Sequence, residues 1–230
     1  MKKTLAIIGA GPGLGAALAR QFGASGFSIA LLARNRTRLA ALAADLQKQG
    51  IDAREYAADV LDGAALSAAL TQANSDLGGI DVLEFSPMPQ VALASPTEVR
   101  ADNVLPILQQ QVLGAVTAVN TVLPLMRKRG RGALLFTTGA SSMIPFAMMG
   151  NVGIAMAGLR NYALTLHQAL AGEGIYAGHV AIDAIIQPGA GEADPDAIAR
   201  RYYELCESRD RAEIKIGNFI ATVTAGARPG

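Results

Sequence analysis

The fold this sequence predicts is a single α/β domain with a doubly wound parallel sheet (a Rossmann fold). Two observations lead there. Strand and helix patterns alternate from end to end, which calls for parallel strands joined by right-handed helical crossovers. The strands are also nearly all apolar, as in Phe27-Ser-Ile-Ala-Leu-Leu-Ala and Gly132-Ala-Leu-Leu-Phe-Thr, the pattern of a sheet covered on both faces. At 230 residues, 51% apolar and 17% charged, the chain can fill one such core and does not have a disordered composition.

The first strand, 4–9, runs into the glycine turn Gly9-Ala-Gly-Pro-Gly-Leu-Gly, and an alanine-rich helix follows over 14–24. Gly9 permits the tight turn, Gly13 lets backbone approach a pyrophosphate, and Gly15 lets helix and strand pack closely. The free N–H groups at the helix start, from Leu14 on, face the anion. An ordinary strand–turn–helix is the bland alternative, but a glycine pattern directly after an apolar strand favours a dinucleotide site.

The second strand, 27–33, ends at Arg34, and a helix over 36–49 follows. In this architecture the residue closing the second strand lies beside the adenosine ribose. An acid there binds the 2′-hydroxyl of NAD, and a base accepts the 2′-phosphate of NADP. Arg34, with Arg36 and Arg38 nearby, favours NADP(H) over NAD(H).

Further strands are predicted at 52–57, 80–85, 132–138, 176–182 and 212–216. Helices are predicted at 63–77, 96–127 (broken near Pro106), 152–172 and 194–207. The domain is taken as 1–217, with 218–230 as a C-terminal tail whose Gly-Ala-Arg-Pro-Gly end is loose. A net charge of +1 argues against a nucleic-acid surface. The basic cluster at 127–131 fits a solvated helix end. One cysteine, Cys206, excludes an internal disulfide, and two histidines with one cysteine disfavour a metal site. With no signal-peptide pattern and no long apolar run, the expected setting is cytoplasmic, away from membranes.

At this point the chain resembles the short-chain dehydrogenase/reductase (SDR) family over nearly its whole length. The glycine turn fits the family's Gly-x3-Gly-x-Gly, with Ile8 for the usual Thr. Asp59-Val60 fits the acidic site that contacts adenine, and Asp81-Val-Leu opens the fourth strand as in the family. Gly114 and Val122-Leu-Pro-Leu-Met126 fit the long interface helix. Ala157-Gly-Leu-Arg-Asn-Tyr-Ala and Gly174-Ile-Tyr-Ala-Gly-His-Val fit the elements after the active site, and Asp194-Pro-Asp-Ala-Ile-Ala fits a substrate-loop helix. The resemblance implies cofactor contacts at Gly9, Gly13, Leu14, Gly15, Arg34, Asp59, Val60 and Phe85. It also implies a homodimer or homotetramer through the helices at 96–127 and 152–172.

The family's chemistry uses an Asn, a Ser, a Tyr that gives the proton and a Lys that tunes the Tyr. Alignment places Gln111 at the Asn, Thr138 or Gly139 at the Ser, Val152 at the Tyr and Met156 at the Lys. No Tyr-x3-Lys occurs in the chain. A carbonyl receiving hydride needs a donor at its oxygen, and Val and Met offer none. Gln111, still a hydrogen-bond donor, is a substrate-contact candidate, although it suits the family's helix break less well than Asn. Tyr162 lies about 280° around the helix from Val152, and His167 about 16 Å along the axis from Met156, so neither replaces the lost pair. Thr138, Ser141 and Ser142 are left as substrate-contact candidates, with loop capping the blander role and no histidine near them in sequence. Met88, Met143, Ile144, Phe146, Met148, Met149 and Met156 suggest a lipophilic pocket or simply adaptable core.

The expected function is therefore an NADP(H)-binding oxidoreductase acting on a carbonyl, enone or imine of a small, apolar molecule. The alternative is a catalytically inactive member that holds nucleotide or serves assembly.

Overall fold

The computed structural model describes residues 2–226, with side chains to residue 223. Seven strands form one parallel sheet: β1 (Thr4–Ile8), β2 (Ser28–Ala33), β3 (Ala53–Ala57), β4 (Val82–Phe85), β5 (Gly132–Gly139), β6 (Ile175–Ile182) and β7 (Glu213–Ile216). Their order is β3-β2-β1-β4-β5-β6-β7, so the chain reverses its winding direction at β1. The helices are α1 (Leu14–Ala24), α2 (Arg36–Lys48), α3 (Gly63–Asp76), α4 (Ala101–Leu108), α5 (Gly114–Arg129), α6 (Gly150–Ala169), α7 (Pro195–Ser208) and α8 (Phe219–Gly226).

Alternation along each strand divides the core into two layers. Leu5, Ile7, Val82 and Leu135 meet α1, α2 and α7 through residues such as Phe22, Leu46 and Tyr202. Ala6, Ile8, Leu83 and Phe136 meet α3, α5 and α6 through Leu70, Val122 and Leu159. Both faces are thus sealed, which is why the strand sequences are apolar throughout. Local chemistry starts the helices: Asn35, Asp62 and Asp194 each accept a backbone N–H from the first turn of α2, α3 and α7.

Two stretches depart from expectation. The helix over 96–127 does not break at Pro106, which lies inside α4. The irregularity comes just after it, in a π-helical turn at Gln109–Leu113 that continues directly into α5. The region expected as tail contains α8. Its start is held by Asp183, whose carbonyl accepts the Phe219 N–H at 2.8 Å and whose carboxylate accepts the Ile220 N–H at 2.9 Å. The end expected to be loose lies, from residue 227 on, outside the described residues.

Candidate functional site

In an open α/β sheet a ligand binds at the carboxyl ends of the strands, where the winding reverses. A cleft of about 560 Å³ opens at that place. The turn after β1 (Gly9 to Pro12) forms its floor. Arg34, Asn35 and Arg38 stand on one side, Ala58 and Val60 behind, and Pro87, Met88 and Gln110 opposite.

The glycines fit a nucleotide cradle. Gly9 has φ +95°, and a Cβ there would lie 2.7 Å from the Pro87 Cα, so only glycine lets β1 and the loop after β4 approach this closely. A Cβ on Gly15 would meet the Ala10 Cα at 2.9 Å. A Cβ on Gly13, by contrast, meets no protein atom within 4 Å. Gly13 therefore faces open space at the N-terminus of α1, where a phosphate gains most from the helix dipole. Arg34 and Arg38 are exposed at the same cleft and free to meet a second phosphate.

Not every residue expected at the cofactor is brought there. Leu14 is half-buried and packs into the core under the turn. Phe85 is fully buried in the other core layer, its ring end against Gly114. Asp59 is partly exposed and accepts the Leu61 N–H at 3.0 Å. Its neighbours Ala58 and Val60 line the cleft, while Asp59 does not.

Gln111 sits in the π-helical turn, so the helix irregularity thought to need Asn is present with Gln. Its side chain is buried and donates through Nε2 to the Pro87 carbonyl at 2.6 Å. It ties down the loop after β4 and is not turned toward a substrate. The same loop is fastened further on by Asn151, fully buried at the start of α6. Asn151 Oδ1 accepts the Ala94 N–H at 3.0 Å, and Nδ2 donates to the Ala92 and Asn103 carbonyls at 3.0 and 3.2 Å.

Under that loop lie Val152 and Met156. Both are buried, and with Ile107 and Ala155 they form a small apolar cluster that Val91 packs against. The residues read as a lipophilic pocket or as core are spread out: Met156 belongs to this cluster and Met149 packs against it, Met148 is 63% exposed, Met88 is 75% exposed on the cleft, and Met143, Ile144 and Phe146 are partly buried. Tyr162 stacks edge-on against Phe136, and His167 bonds the Ala177 carbonyl, so both have structural work.

The end of β5 is richer than its sequence suggests. Thr138 is buried, with Oγ1 2.8 Å from Ser142 Oγ and 2.8 Å from His179 Nε2. His179 is fully buried on β6, and its Nδ1 lies 2.9 Å from Glu213 Oε2 on β7. Arg160 of α6 grips that carboxylate with two bonds, Nη2 to Oε1 at 2.9 Å and Nε to Oε2. The Arg160 hydrogen bond holds Glu213 below the usual carboxylate range, and burial lowers the basicity of His179 against the pull of Glu213. A histidine 41 residues away in sequence therefore does touch the Thr138 hydroxyl. Beside this chain, Ser141 Oγ is buried without a hydrogen-bond partner among the described residues.

Among the described residues no group of three or more His, Cys, Asp or Glu is placed to hold a metal, and no helix is long and apolar enough to cross a membrane.

The family model described as short chain dehydrogenase matches residues 3–194. An uncharacterized oxidoreductase of Mycobacterium tuberculosis is 27% identical, over 85% of this chain and 76% of its own length. The inactive hydroxysteroid dehydrogenase-like protein 1 of Homo sapiens is 26% identical, over 74% of this chain and 52% of its own. The L-sorbose reductase of Gluconobacter frateurii, solved with NADPH and L-sorbose, superposes with a TM-score of 0.85 at 21% identity, covering 95% of this chain and 97% of that one.

Proposed function

Because the chain belongs to the short-chain dehydrogenase family, we propose that it is an NADP(H)-binding oxidoreductase acting on a carbonyl, an enone or an imine of a small, largely apolar molecule. One observation carries the reading: a single cleft joins the turn from Gly9 to Pro12, which leads into the start of α1 at the unobstructed Gly13, to Arg34 and Arg38 at its far side. When bound, NADP(H) supplies or takes the hydride. The chain's part is to seat the pyrophosphate on the start of α1, hold the 2′-phosphate with the two guanidinium groups, and present the end of β5 to the substrate. NADPH in the structural neighbour from Gluconobacter frateurii supports the choice of cofactor. Exposed Leu105, Leu113 and Ile154, on or beside the helices α4 to α6, support assembly as a homodimer or homotetramer.

A second reading has its own observation. Val152 and Met156, aligned with the family's Tyr and Lys, are packed as core. That favours a catalytically inactive member that holds nucleotide for a regulatory or assembly role.

Calorimetric titration with NADPH and NADH, on wild type and Arg34→Ala, comes first. The expected result is micromolar NADPH affinity that falls at least tenfold in the variant while NADH is little affected. No binding of either nucleotide overturns the cofactor assignment. Binding without NADPH oxidation by aldehydes, quinones, enones or imines selects the second reading.

A further inference from the structure

Across the sheet face beneath α6, five polar side chains from four elements and a turn make one unbroken hydrogen-bonded chain. It runs from Arg160 through Glu213, His179 and Thr138 to Ser142. A buried polar network costs free energy unless every member is satisfied, and here each member has its partner. The chain also has a direction. Glu213, paired with Arg160, is an acceptor only, so Nδ1 of His179 carries the ring proton and Nε2 carries the lone pair. Thr138 then donates to Nε2, and its oxygen accepts from Ser142. The hydroxyl of Ser142 is thereby connected, through one intervening hydroxyl, to a base held in place by a carboxylate.

The two ends of the chain differ in their surroundings. At one end the Arg160 and Glu213 side chains are 32% and 20% exposed, so protons can exchange with water there. At the other end Ser142 is buried in the turn that closes β5. The unpartnered hydroxyl of Ser141 is next to it, and a Cβ on Gly153 of α6 would lie 3.6 Å from the Ser141 carbonyl. That end therefore lies against the first turn of α6, beside Val152. It is also at the carboxyl end of the sheet, where a substrate binds.

We propose that Ser142, Thr138 and His179 form the proton path of this site, in place of the hydroxyl and ammonium groups absent at Val152 and Met156, with Glu213 and Arg160 positioning the imidazole. This rests on the oxidoreductase reading. In reduction the carbonyl carbon receives hydride from the cofactor, and the π pair moves onto oxygen. That oxygen takes the Ser142 proton, Ser142 takes the Thr138 proton, and Thr138 takes the Nε2 proton of an imidazolium, leaving neutral imidazole and an alcohol. After the alcohol leaves, water in its place gives a proton to Ser142, and the same path passes one through Thr138 to Nε2. Oxidation of the alcohol runs the same transfers backwards and delivers its proton to Nε2. Ser141 offers the substrate oxygen a second hydrogen bond. The charged groups facing His179 are Glu213 from β7 and Arg160 from α6, while β5 and the following turn contribute neutral hydroxyls. His179 is a positioning and proton-holding residue, since it acts through two others.

The test uses the full chain, NADPH and 1-phenyl-1,2-propanedione, an apolar diketone. Wild type, His179→Gln, Glu213→Gln and Thr138→Val are compared by NADPH calorimetry and by kcat against pH. Wild-type reduction is expected to speed up as pH falls and to level off below a single ionisation. His179→Gln should bind NADPH within twofold of wild type, lose at least tenfold in kcat and show a flat profile. Glu213→Gln removes the charge that stabilises the imidazolium, so it should move the profile to lower pH. Thr138→Val keeps the shape but removes the relay hydroxyl, so it should bind NADPH within twofold of wild type and lose at least tenfold in kcat. Should His179→Gln fail to fold, the profile shift in Glu213→Gln decides. Unchanged kcat and profile in a variant that binds NADPH overturns the relay and leaves the oxidoreductase reading standing. Bound NADPH with no reduction of the diketone by wild type also overturns the relay. Absence of NADPH binding overturns both.

Discussion

Thr137 donates its hydroxyl to Glu84 at 2.7 Å, from β5 to β4, inside the protein. Ser86 donates to the other carboxyl oxygen at 2.9 Å, and the Tyr202 hydroxyl lies 2.7 Å from that of Thr137. Among the described residues no cation faces this carboxyl. Burial pushes it up to about 7 from an ordinary 4.5, and the two hydroxyl donors only partly offset the shift. Because the folded value is raised, its contribution to stability is complete below about pH 4.5 and is lost as pH rises through about 7. Glu84→Gln should therefore stabilise the protein at pH 8 by on the order of 3 kcal/mol and give no such gain at pH 4. Urea unfolding at both pH values checks this, and an equal gain at both would contradict it.

Gly9 and Gly13 separate folding from binding. Gly9→Ala forces a side chain onto the Pro87 backbone at φ +95° and should lower Tm by several degrees while abolishing NADPH affinity. Gly13→Ala meets no protein atom, so Tm should hold within about 2 °C while NADPH binding weakens at least tenfold. Thermal scans with and without NADPH read both. If Gly13→Ala binds as wild type does, the phosphate does not lie there.

Asn151 closes its bonds across a span of 57 residues to Ala94. Asn151→Ala leaves buried backbone groups unpaired and should cost about 3 kcal/mol. Hydrogen exchange should rise at Ala94, whose N–H loses its acceptor. Exchange unchanged at that amide would show that the loop is held by other means.

Restoring the family's lysine should not restore its chemistry. Met156→Lys places an ammonium among Ile107, Val152 and Ala155, and burying it unpaired should cost at least about 2 kcal/mol. The double variant Val152→Tyr, Met156→Lys should be less stable still and gain less than threefold in diketone reduction. A tenfold gain would mean that the apolar cluster opens readily into a catalytic pocket.

The seven strands were legible because a sheet buried on both faces leaves runs such as Leu5 to Ile8 apolar at every position. The glycine turn and Arg34 were legible because their spacing along the chain is itself the geometry. What stayed hidden depends on pairings between distant residues. The π-helical turn at Gln109–Leu113 has no local signature beyond the nearby Pro106, and Gln111 finds its partner, Pro87, in another loop. His179 reaches Thr138 only because β5 and β6 are neighbours with Phe136 opposite His179, which sets Thr138 two positions further along the same face. Assuming adjacent β5 and β6 in that register would have exposed the pair. The methionines left core and pocket both open because Met suits either, and only packing tells Met88 on the cleft from Met156 in its apolar cluster.

The winding reversal at β1 also has a consequence for how the molecule comes into being. One wall of the cleft comes from residues 8–66 and the other from 87–110, and they face each other only after β4 docks on β1, with Leu5 opposite Val82. That docking closes a long loop. The entropy of closure grows slowly with length, but such non-local pairings retard folding. A chain emerging from the ribosome thus carries the glycine turn and Arg34 well before it has anything to set against them. Nucleotide affinity would appear abruptly with the second wall, serving as a clock for that step of folding.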